Sequence, residues 1–238
     1  MTKTLHILAG AAALSSAAAA NAMMVDLTHP MTSATINNAL YETVDFRGAG
    51  TGVLEPFVRI QANGFEQGYN TSNNHPAFDE KTGSWTRDMR LGDVPFRIIG
   101  GDTYFEFLLD INQSGSNSLL SLEQIQIYTT STPSQNTPNV PSLGTLRYDM
   151  DAGGDNYVLL DANLSSGSGT GDLRLLVPSS AFAGTAANDY VILFSSFGTH
   201  NTANSGFEEW AIVAGSVPSP GPMALMAIGS ILAFRRKR

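Results

Sequence analysis

The chain has 238 residues, of which 42% are hydrophobic, and this is enough for one well-packed domain. It contains no cysteine, which excludes disulfides, thiol nucleophiles and thiolate metal sites. Residues 23–216 carry 21 acidic and 8 basic side chains, a net charge of −13, against −8 for the whole chain. A segment this acidic repels phosphate backbones, which argues against nucleic acid as a partner and suits an extracellular protein or one that binds cations.

The first 22 residues have the three parts of a secretory signal peptide in the usual order. Lys3 supplies a short positive region, and an alanine-rich apolar run follows over residues 5–20. Ala20 and Ala22 then form an Ala-x-Ala cleavage site. The alternative is an alanine-rich structural helix, but the order and position of the parts favour export. We therefore expect residues 1–22 to be a signal peptide.

Residues 23–216 contain short β-prone runs separated by clusters of Gly, Asn, Ser, Asp and Pro. Residues 103–112 alternate with period two, so that odd-numbered residues from Phe105 to Ile111 share one face and even-numbered residues from Tyr104 to Asp110 share the other. Further strands are predicted at residues 122–129, 145–150, 157–164, 172–177, 190–197 and 207–213, with weaker candidates at 52–61 and 96–99 and one helical turn at 179–182.

Roughly nine short strands leave little room for the crossover helices that a parallel sheet needs. We therefore predict an all-β fold for residues 23–216, an antiparallel β-sandwich or jelly roll. Residues 67–85 are predicted as a long surface loop, and the proline-rich residues 131–142 as a loop between strands.

The last 22 residues, 217–238, have the features of a short membrane anchor. Pro218, Pro220 and Pro222 keep the start of this segment extended. The apolar run that follows, residues 223–234, would span about 18 Å as a helix, less than the ~30 Å hydrocarbon core. Four basic residues, which the positive-inside rule places in the cytoplasm, end the run and can lengthen it by snorkelling: Arg235, Arg236, Lys237 and Arg238. The alternative is a core helix followed by a basic tail.

This tail resembles the PEP-CTERM sorting domain of Gram-negative bacteria that make extracellular polysaccharide, in which a proline motif precedes a short apolar helix and an arginine cluster. The motif positions are occupied by Val217, Pro218, Ser219, Pro220 and Gly221. Ser219 stands where the family usually has glutamate. The resemblance implies transient anchoring in the inner membrane, recognition by an exosortase, cleavage near the prolines, and release or transfer of residues 23–216 to the cell surface or medium.

The body of the chain resembles those of other PEP-CTERM proteins. The resemblance rests on four runs: FEFLLDINQ, LEQIQIY, YDMDAGGDNYVLLD and GFEEWAIV. It implies an exported, β-rich protein, and it adds little about biochemical activity because the activities of such bodies are unassigned.

An aspartate-rich turn is the strongest candidate metal site. Asp149, Asp151 and Asp155 offer hard oxygen ligands around the glycines at 153 and 154, and calcium prefers six to eight such oxygens. Residues 110–117 begin like an EF-hand loop, but Ser121 replaces the bidentate glutamate and the flanks are strands, so a true EF-hand is rejected. Turn formation without a metal is the alternative for both stretches.

Two aromatic residues in the predicted loop region are candidates for glycan binding. Trp85 and Tyr69 can stack on sugar rings, with Asn70, Asn73 and Asn74 as hydrogen-bonding partners. The exopolysaccharide is a candidate partner, and the sequence does not identify the glycan.

The last predicted strand, residues 207–213, contains Glu208, Glu209 and Trp210. Adjacent strand residues point to opposite faces, so the two glutamates cannot flank one glycosidic bond. We expect them to protect a strand edge and the tryptophan to pack in the core.

Signals of hydrolase chemistry are weak. His29, His75 and His200 lie in loop-like sequence, with neither an HExxH spacing nor a Gly-x-Ser-x-Gly turn. The sequence therefore favours a non-enzymatic exported protein, structural or adhesive in an exopolysaccharide matrix or biofilm. The alternative is a calcium-dependent carbohydrate-binding module.

Overall fold

A computed structural model describes residues 22–47, 54–113, 117–164 and 170–213. These residues are mostly β-strand. The strands are β1 (Met24–Asp26), β2 (Ser33–Ile36), β3 (Ala39–Arg47), β4 (Leu54–Ile60), β5 (Asn63–Gly64), β6 (Glu66–Tyr69), β7 (Met89–Arg90), β8 (Phe96–Ile99), β9 (Asp102–Ile111), β10 (Leu119–Thr130), β11 (Thr145–Asp149), β12 (Tyr157–Asp161), β13 (Thr170–Pro178), β14 (Tyr190–Phe197), β15 (Ala203–Asn204) and β16 (Glu208–Val213). Short 3-10 helices cover Leu91–Asp93, Val140–Ser142 and Ser179–Phe182.

Two large sheets account for most of these strands. Sheet A has the order β1-β12-β10-β14-β6, with β11 also paired to β10 and β7 to β14. Sheet B has the order β2-β3-β13-β9-β16-β4, with β8 paired to β9. Strands β5 and β15 form a separate two-stranded ladder. The pairing of β1 with β12 is parallel, and the other pairings between these strands are antiparallel.

Strand β9 shows how the alternating sequence places side chains. Phe107, Leu109 and Ile111 are buried in the main core, whereas Glu106 and Asp110 belong to the opposite face of sheet B. The prediction of a half-buried strand at residues 103–112 is thus confirmed. Strands β8 and β14 and the short helix at Ser179–Phe182 also have the bounds that the sequence predicts.

The main core joins the inner faces of both sheets, so the domain is sandwich-like. Sheet A contributes Leu122, Ile127 and Leu193, among others, and sheet B contributes residues such as Leu175 and Phe57. Full burial of each such side chain contributes about 1.5–3 kcal/mol.

Side-chain hydrogen bonds cross the core between the sheets. Trp210 Nε1 donates to Ser195 Oγ at 3.0 Å, and the hydroxyls of Tyr41 and Tyr148 lie 2.7 Å apart. The expectation that Trp210 packs in the core is confirmed, since its side chain is fully buried. Burying the indole N–H and these hydroxyls is tolerated because each has a partner.

A second, smaller apolar cluster covers the outer face of sheet A. Alternation along β14 sends Leu193 into the main core and Phe194 into this second cluster. The other buried members are Tyr69, Tyr128, Leu143 and Ile192.

The residues that cover this cluster come from two segments that the sequence predicts as loops, residues 67–85 and 131–142. Thr71 Oγ1 donates to the Gln135 carbonyl at 2.6 Å, and the Tyr69 hydroxyl donates to the Thr137 carbonyl at 3.1 Å. The prediction of a surface loop at residues 67–85 is therefore wrong at its start, where β6 forms, and residues beyond it pack on sheet A.

The strands β1 to β3 are not predicted from the sequence. Strand β2, with the sequence SATI, is held by pairing with β3, and β3 is held by pairing with β13. The local sequence of these strands gives only a weak signal, and pairing with neighbouring strands stabilises them, because strand propensity depends strongly on context.

The two predicted chain-end signals, residues 1–22 and 217–238, fall outside the described residues apart from residue 22. Within the described ranges, no helix has the length and apolar character needed to cross a bilayer. The Gly-rich stretch 48–52 and most of 167–171 also lie outside them.

We predict that Trp210→Phe lowers the free energy of unfolding by about 1–3 kcal/mol, because the Ser195 hydroxyl loses its buried partner. Ser195→Ala should have a similar cost, and the double variant should lose less than the sum of the two. Urea unfolding followed by circular dichroism measures all three. Trp85→Phe, at an exposed tryptophan, is the control and should change stability by under ~0.5 kcal/mol. Strictly additive losses would contradict a coupling between the two sheets.

Candidate functional site

The first candidate is an aromatic surface, here called the Trp85 surface, formed by Trp85, Arg59, Phe207 and Glu209. The indole of Trp85 is 43% exposed. The guanidinium carbon of Arg59 lies 3.7 Å from the centre of that ring and 4.2 Å from the centre of the Phe207 ring. One face of the indole is therefore in contact with a cation, as in other cation–π pairs, while much of the ring remains accessible.

The fold places these side chains together through strand pairing. Arg59 on β4 and Glu209 on β16 lie directly opposite each other. Arg59 Nε donates to Glu209 Oε1 at 2.6 Å, and this carboxylate is almost completely buried. A short charge-assisted bond of this kind fixes the guanidinium, which in turn supports the indole from below. Trp85 is thus held as a rigid platform.

The turn that carries Trp85 is attached to the edge of β4. The Lys81 N–H donates to the Arg59 carbonyl at 2.8 Å, and the Arg87 N–H donates to the Phe57 carbonyl at 2.9 Å. Because both ends of the turn are bonded to the same strand, the indole has little freedom to move away from Arg59. The sequence prediction that Trp85 is the exposed tryptophan is confirmed by its accessible ring.

Tyr69 does not belong to this surface, and its assignment as a sugar-stacking residue is wrong. Its ring is fully buried in the smaller cluster, with an edge contact to Phe78 at 6.0 Å between ring centres. Burial raises the pKa of the Tyr69 phenol to about 12. A platform for a sugar requires an exposed face, which this ring lacks.

The asparagines near Tyr69 have mainly structural roles. Asn70 is buried, donates to the Val191 carbonyl at 2.9 Å and accepts the Leu193 N–H at 2.7 Å. Its amide therefore continues the pairing of β14 where β6 ends. Asn73 donates to the Ser134 carbonyl, whereas Asn74 is exposed.

A groove of about 470 Å³, here called the hydroxyl groove, is a second candidate site, and it is not predicted from the sequence. Alternation along β9 and β13 places Tyr104 and Pro178 on the outer face of sheet B, as it does Glu209 of the Trp85 surface on β16. The groove is lined by Thr35, Asn38, Leu40, Asp102, Thr103, Tyr104, Pro178, Ser179 and Ser180. Hydroxyl, amide and carboxylate groups beside one aromatic ring are suited to binding a polyhydroxylated ligand.

An ion-pair network occupies the outer face of sheet B near this groove. Arg174 contacts Glu42 at 3.2 Å and Glu106 at 2.7 Å, and Arg97 contacts Glu106 at 2.8 Å. Glu106 is buried and accepts from both arginines. These charged groups are paired with one another and stabilise the surface of sheet B.

The aspartates at positions 149, 151 and 155 form a tight turn. Asp149 Oδ1 accepts the Asp151 N–H, and Asp151 Oδ1 accepts the Asn156 N–H, both at 2.9 Å. Gln126 Nε2 donates to Asp149 Oδ2 at 3.1 Å, and Asp155 is exposed. The bond from Asp149 to the N–H two residues on is that of an Asx turn. In the described part of the chain, no group of three or more acidic or imidazole side chains is arranged to hold a metal ion. Calcium binding by this turn stays a prediction.

The electrostatics of this turn are unfavourable for one carboxylate. Burial raises the pKa of Asp151 to about 6, and the charges of Asp149 and Asp155 add to the rise, while the N–H of Asn156 opposes it. A bound cation would remove this penalty, and so would a proton.

His200 belongs to a polar cluster at the start of β10. Its ring stacks on Tyr157 at 3.8 Å between ring centres, and its Nδ1 lies 2.8 Å from Glu123 Oε2. Ser121 Oγ also contacts the Glu123 carboxylate and accepts the Asn201 N–H at 2.7 Å. The carboxylate thus lies between serine and histidine, whereas in a serine triad the imidazole occupies the middle position.

Glu208 and Glu209 do point to opposite faces of β16, as the sequence predicts. Their expected role in protecting a strand edge is wrong, because β16 lies between β9 and β4 inside sheet B. Glu209 belongs to the Trp85 surface, and the side chain of Glu208 points toward the core.

Comparisons of this chain with protein-family models, with curated proteins and with solved structures find no match.

We predict that Asp151→Asn becomes more stable relative to the wild type as pH rises from about 4 to about 6.5. The raised pKa of Asp151 means that the folded protein binds this proton more tightly than the unfolded chain, so wild-type stability is lost as pH rises between the ordinary value of 3.8 and about 6. Asparagine keeps an oxygen for the Asn156 N–H and carries no charge. Thermal melting across this pH range measures the difference.

The control for this comparison is Asp93→Asn, which removes an exposed carboxylate elsewhere. A stability difference between Asp151→Asn and wild type that does not change with pH would contradict the raised pKa.

Proposed function

We propose that this chain is an exported, non-enzymatic protein of a Gram-negative bacterium, located outside the cell or on its surface. In this proposal an exosortase removes the sorting tail, and the β domain acts as a structural or adhesive component of the exopolysaccharide matrix. The observation that carries the adhesive role is the exposed indole of Trp85, fixed on the outside of the domain by Arg59 and Glu209.

The export route is supported by the two ends of the sequence. The Ala20 to Ala22 site follows a signal-like segment, and the prolines at 218 and 220 precede a short apolar run and a basic end. A run of 12 residues is held weakly in a bilayer, which fits an anchor that is used transiently before cleavage.

We infer that the domain is a jelly roll, a class that includes lectin domains. The support is the strand order: β6-β14-β10-β12 in sheet A and β4-β16-β9-β13 in sheet B. Along the chain, the connections from β4 to β6, β6 to β9, β9 to β10, β12 to β13, β13 to β14 and β14 to β16 each pass between the sheets. Two interlocked sets of crossing connections are the pattern of a double Greek key.

The charge of the body restricts the class of polysaccharide. Residues 23–216 have a net charge of −13, so an anionic polymer would be repelled unless cations bridge the two. The Trp85 surface and the hydroxyl groove both lie on the outer side of sheet B and offer stacking and hydrogen bonds. A neutral, extended polysaccharide fits these properties best.

The alternative function is a calcium-dependent carbohydrate-binding module. The observation that favours it is the crowding of Asp149, Asp151 and Asp155, where burial and like charges disfavour an uncompensated carboxylate. The two proposals differ in whether glycan binding needs the metal.

We predict that the protein isolated from the envelope or medium of its host begins at Met23 and ends within residues 217–221. Intact mass spectrometry measures both ends. A variant with serine at each of the four C-terminal basic positions should keep its tail, because the cytoplasmic stop is lost. Arg90→Ser is the matched control and should be processed normally. Full-length protein found soluble in the cytosol would refute the export route.

We predict that Trp85→Ala weakens binding to the host's purified exopolysaccharide about tenfold, since an aromatic stacking contact contributes about 1–1.5 kcal/mol. Trp85→Phe should retain much of the binding, and Tyr69→Phe, at a buried ring, should retain all of it. Affinity gels or sedimentation with the polymer measure the loss. Undiminished binding by Trp85→Ala would reject the Trp85 surface, and loss of wild-type binding in EDTA would favour the calcium-dependent alternative.

A further inference from the structure

Two carboxyl groups are buried against each other where β6 and β16 meet across the core. Glu66 lies on sheet A and Glu208 on sheet B, and both side chains have 0% exposure. The two carboxyls are close enough that each shifts the pKa of the other. Trp210, two residues further along β16, makes the bond to Ser195 across the same interface. The pair therefore continues the line of polar contacts between the sheets.

The pair is poorly satisfied by the surrounding protein. Glu66 Oε2 accepts the Ala62 N–H at 2.6 Å. Among the described residues, Glu66 Oε1 and both oxygens of Glu208 have no hydrogen bond of normal geometry, although the Asn112 N–H lies close enough to influence Glu208. Three buried carboxyl oxygens therefore lack a normal hydrogen bond.

If both carboxyls were ionised, the pair would need a compensating positive charge, either a proton or a cation. Two ionised carboxylates in contact repel each other, and removing each from water costs several kcal/mol. A single shared proton can join two of the three oxygens and leaves the third without a bond. A divalent cation can bind all three oxygens at once.

The charges around the pair add to its attraction for a cation. Asp79 lies near Glu66, and Asp110 lies near Glu208. Lys81 is the basic group close to Glu66, and its side chain is exposed. The Asn112 N–H favours the charged form of Glu208, but burial outweighs it and raises the pKa of Glu208 well above its usual range.

Backbone segments close over this end of the core. A Cβ at Gly206 would lie 1.3 Å from the Asn112 carbonyl oxygen, so the two segments can approach this closely only with glycine. Strands β5 and β15 pair beside them, and Ala62 precedes β5. A hard cation bound by the two carboxylates would need carbonyl or water oxygens as further ligands.

We propose that Glu66 and Glu208 form a structural site for a hard divalent cation, calcium by preference, which ties the inner faces of the two sheets together. Calcium accepts an irregular set of carboxylate, carbonyl and water oxygens, whereas magnesium demands a near-ideal octahedron. The site is distinct from the turn at residues 149–155, and it does not depend on glycan binding.

The test is thermal melting of the purified full chain in millimolar CaCl2, in MgCl2 and in EDTA. Calcium should raise the wild-type melting temperature by about 5 °C over EDTA, with a smaller rise in magnesium. Glu66→Gln and Glu208→Gln should each abolish the rise. Both variants should be at least as stable as the wild type in EDTA, because an amide can donate to the remaining carboxylate, so a failure to fold would not explain the lost response.

Asp149→Asn is the matched control, because it removes one carboxylate from the other acidic cluster, and it should keep the full calcium response. Absence of a calcium response in the wild type would overturn the proposal and leave a shared proton at the pair. A response that survives in both glutamine variants, or that only Asp149→Asn abolishes, would also overturn it. Melting does not involve polysaccharide, so this result and the result for the Trp85 surface are independent.

Discussion

Trp210 of β16 donates its indole N–H to Ser195 of β14, and around this bond the apolar inner faces of the two sheets are in contact. This contact constrains the rest of the domain, because side chains alternate along every strand. Once one set of residues faces the core, the next set must face outward. The same alternation that buries Trp210 places Glu209 on the outer face and Glu208 at the rim of the core.

The absence of cysteine makes this arrangement depend on packing and on polar contacts between distant strands. Tyr41 meets Tyr148, Arg59 meets Glu209, and Asn70 completes the pairing of β14. Each of these groups is buried or nearly so and has a partner, as a stable interior requires. The carboxyls of Glu66 and Glu208 depart from this rule, and for that reason we propose a bound cation between them.

An acidic domain has a physical reason to use cations and neutral ligands. Its net negative charge opposes close contact with anionic polymers, but it attracts divalent ions from the medium. A cation between the sheets would stabilise the fold, and an exposed indole would supply adhesion that does not rely on charge. The two proposed features thus address different requirements of one acidic domain.

The sequence by itself determined the all-β class, the half-buried strand at residues 103–112, the core position of Trp210 and the exposure of Trp85, because these follow from local alternation and local polarity. Only the tertiary structure decided that Tyr69 is buried, that β16 is an interior strand and that Arg59 supports Trp85. Arg59 and Glu209 are 150 positions apart in the chain, and no local pattern states which strands will pair. Tyr69 is buried, and Glu66 lies beside Glu208, because segments that are distant in the sequence meet in the folded protein. The environment of each side chain is set by the faces that the folded sheets bring together.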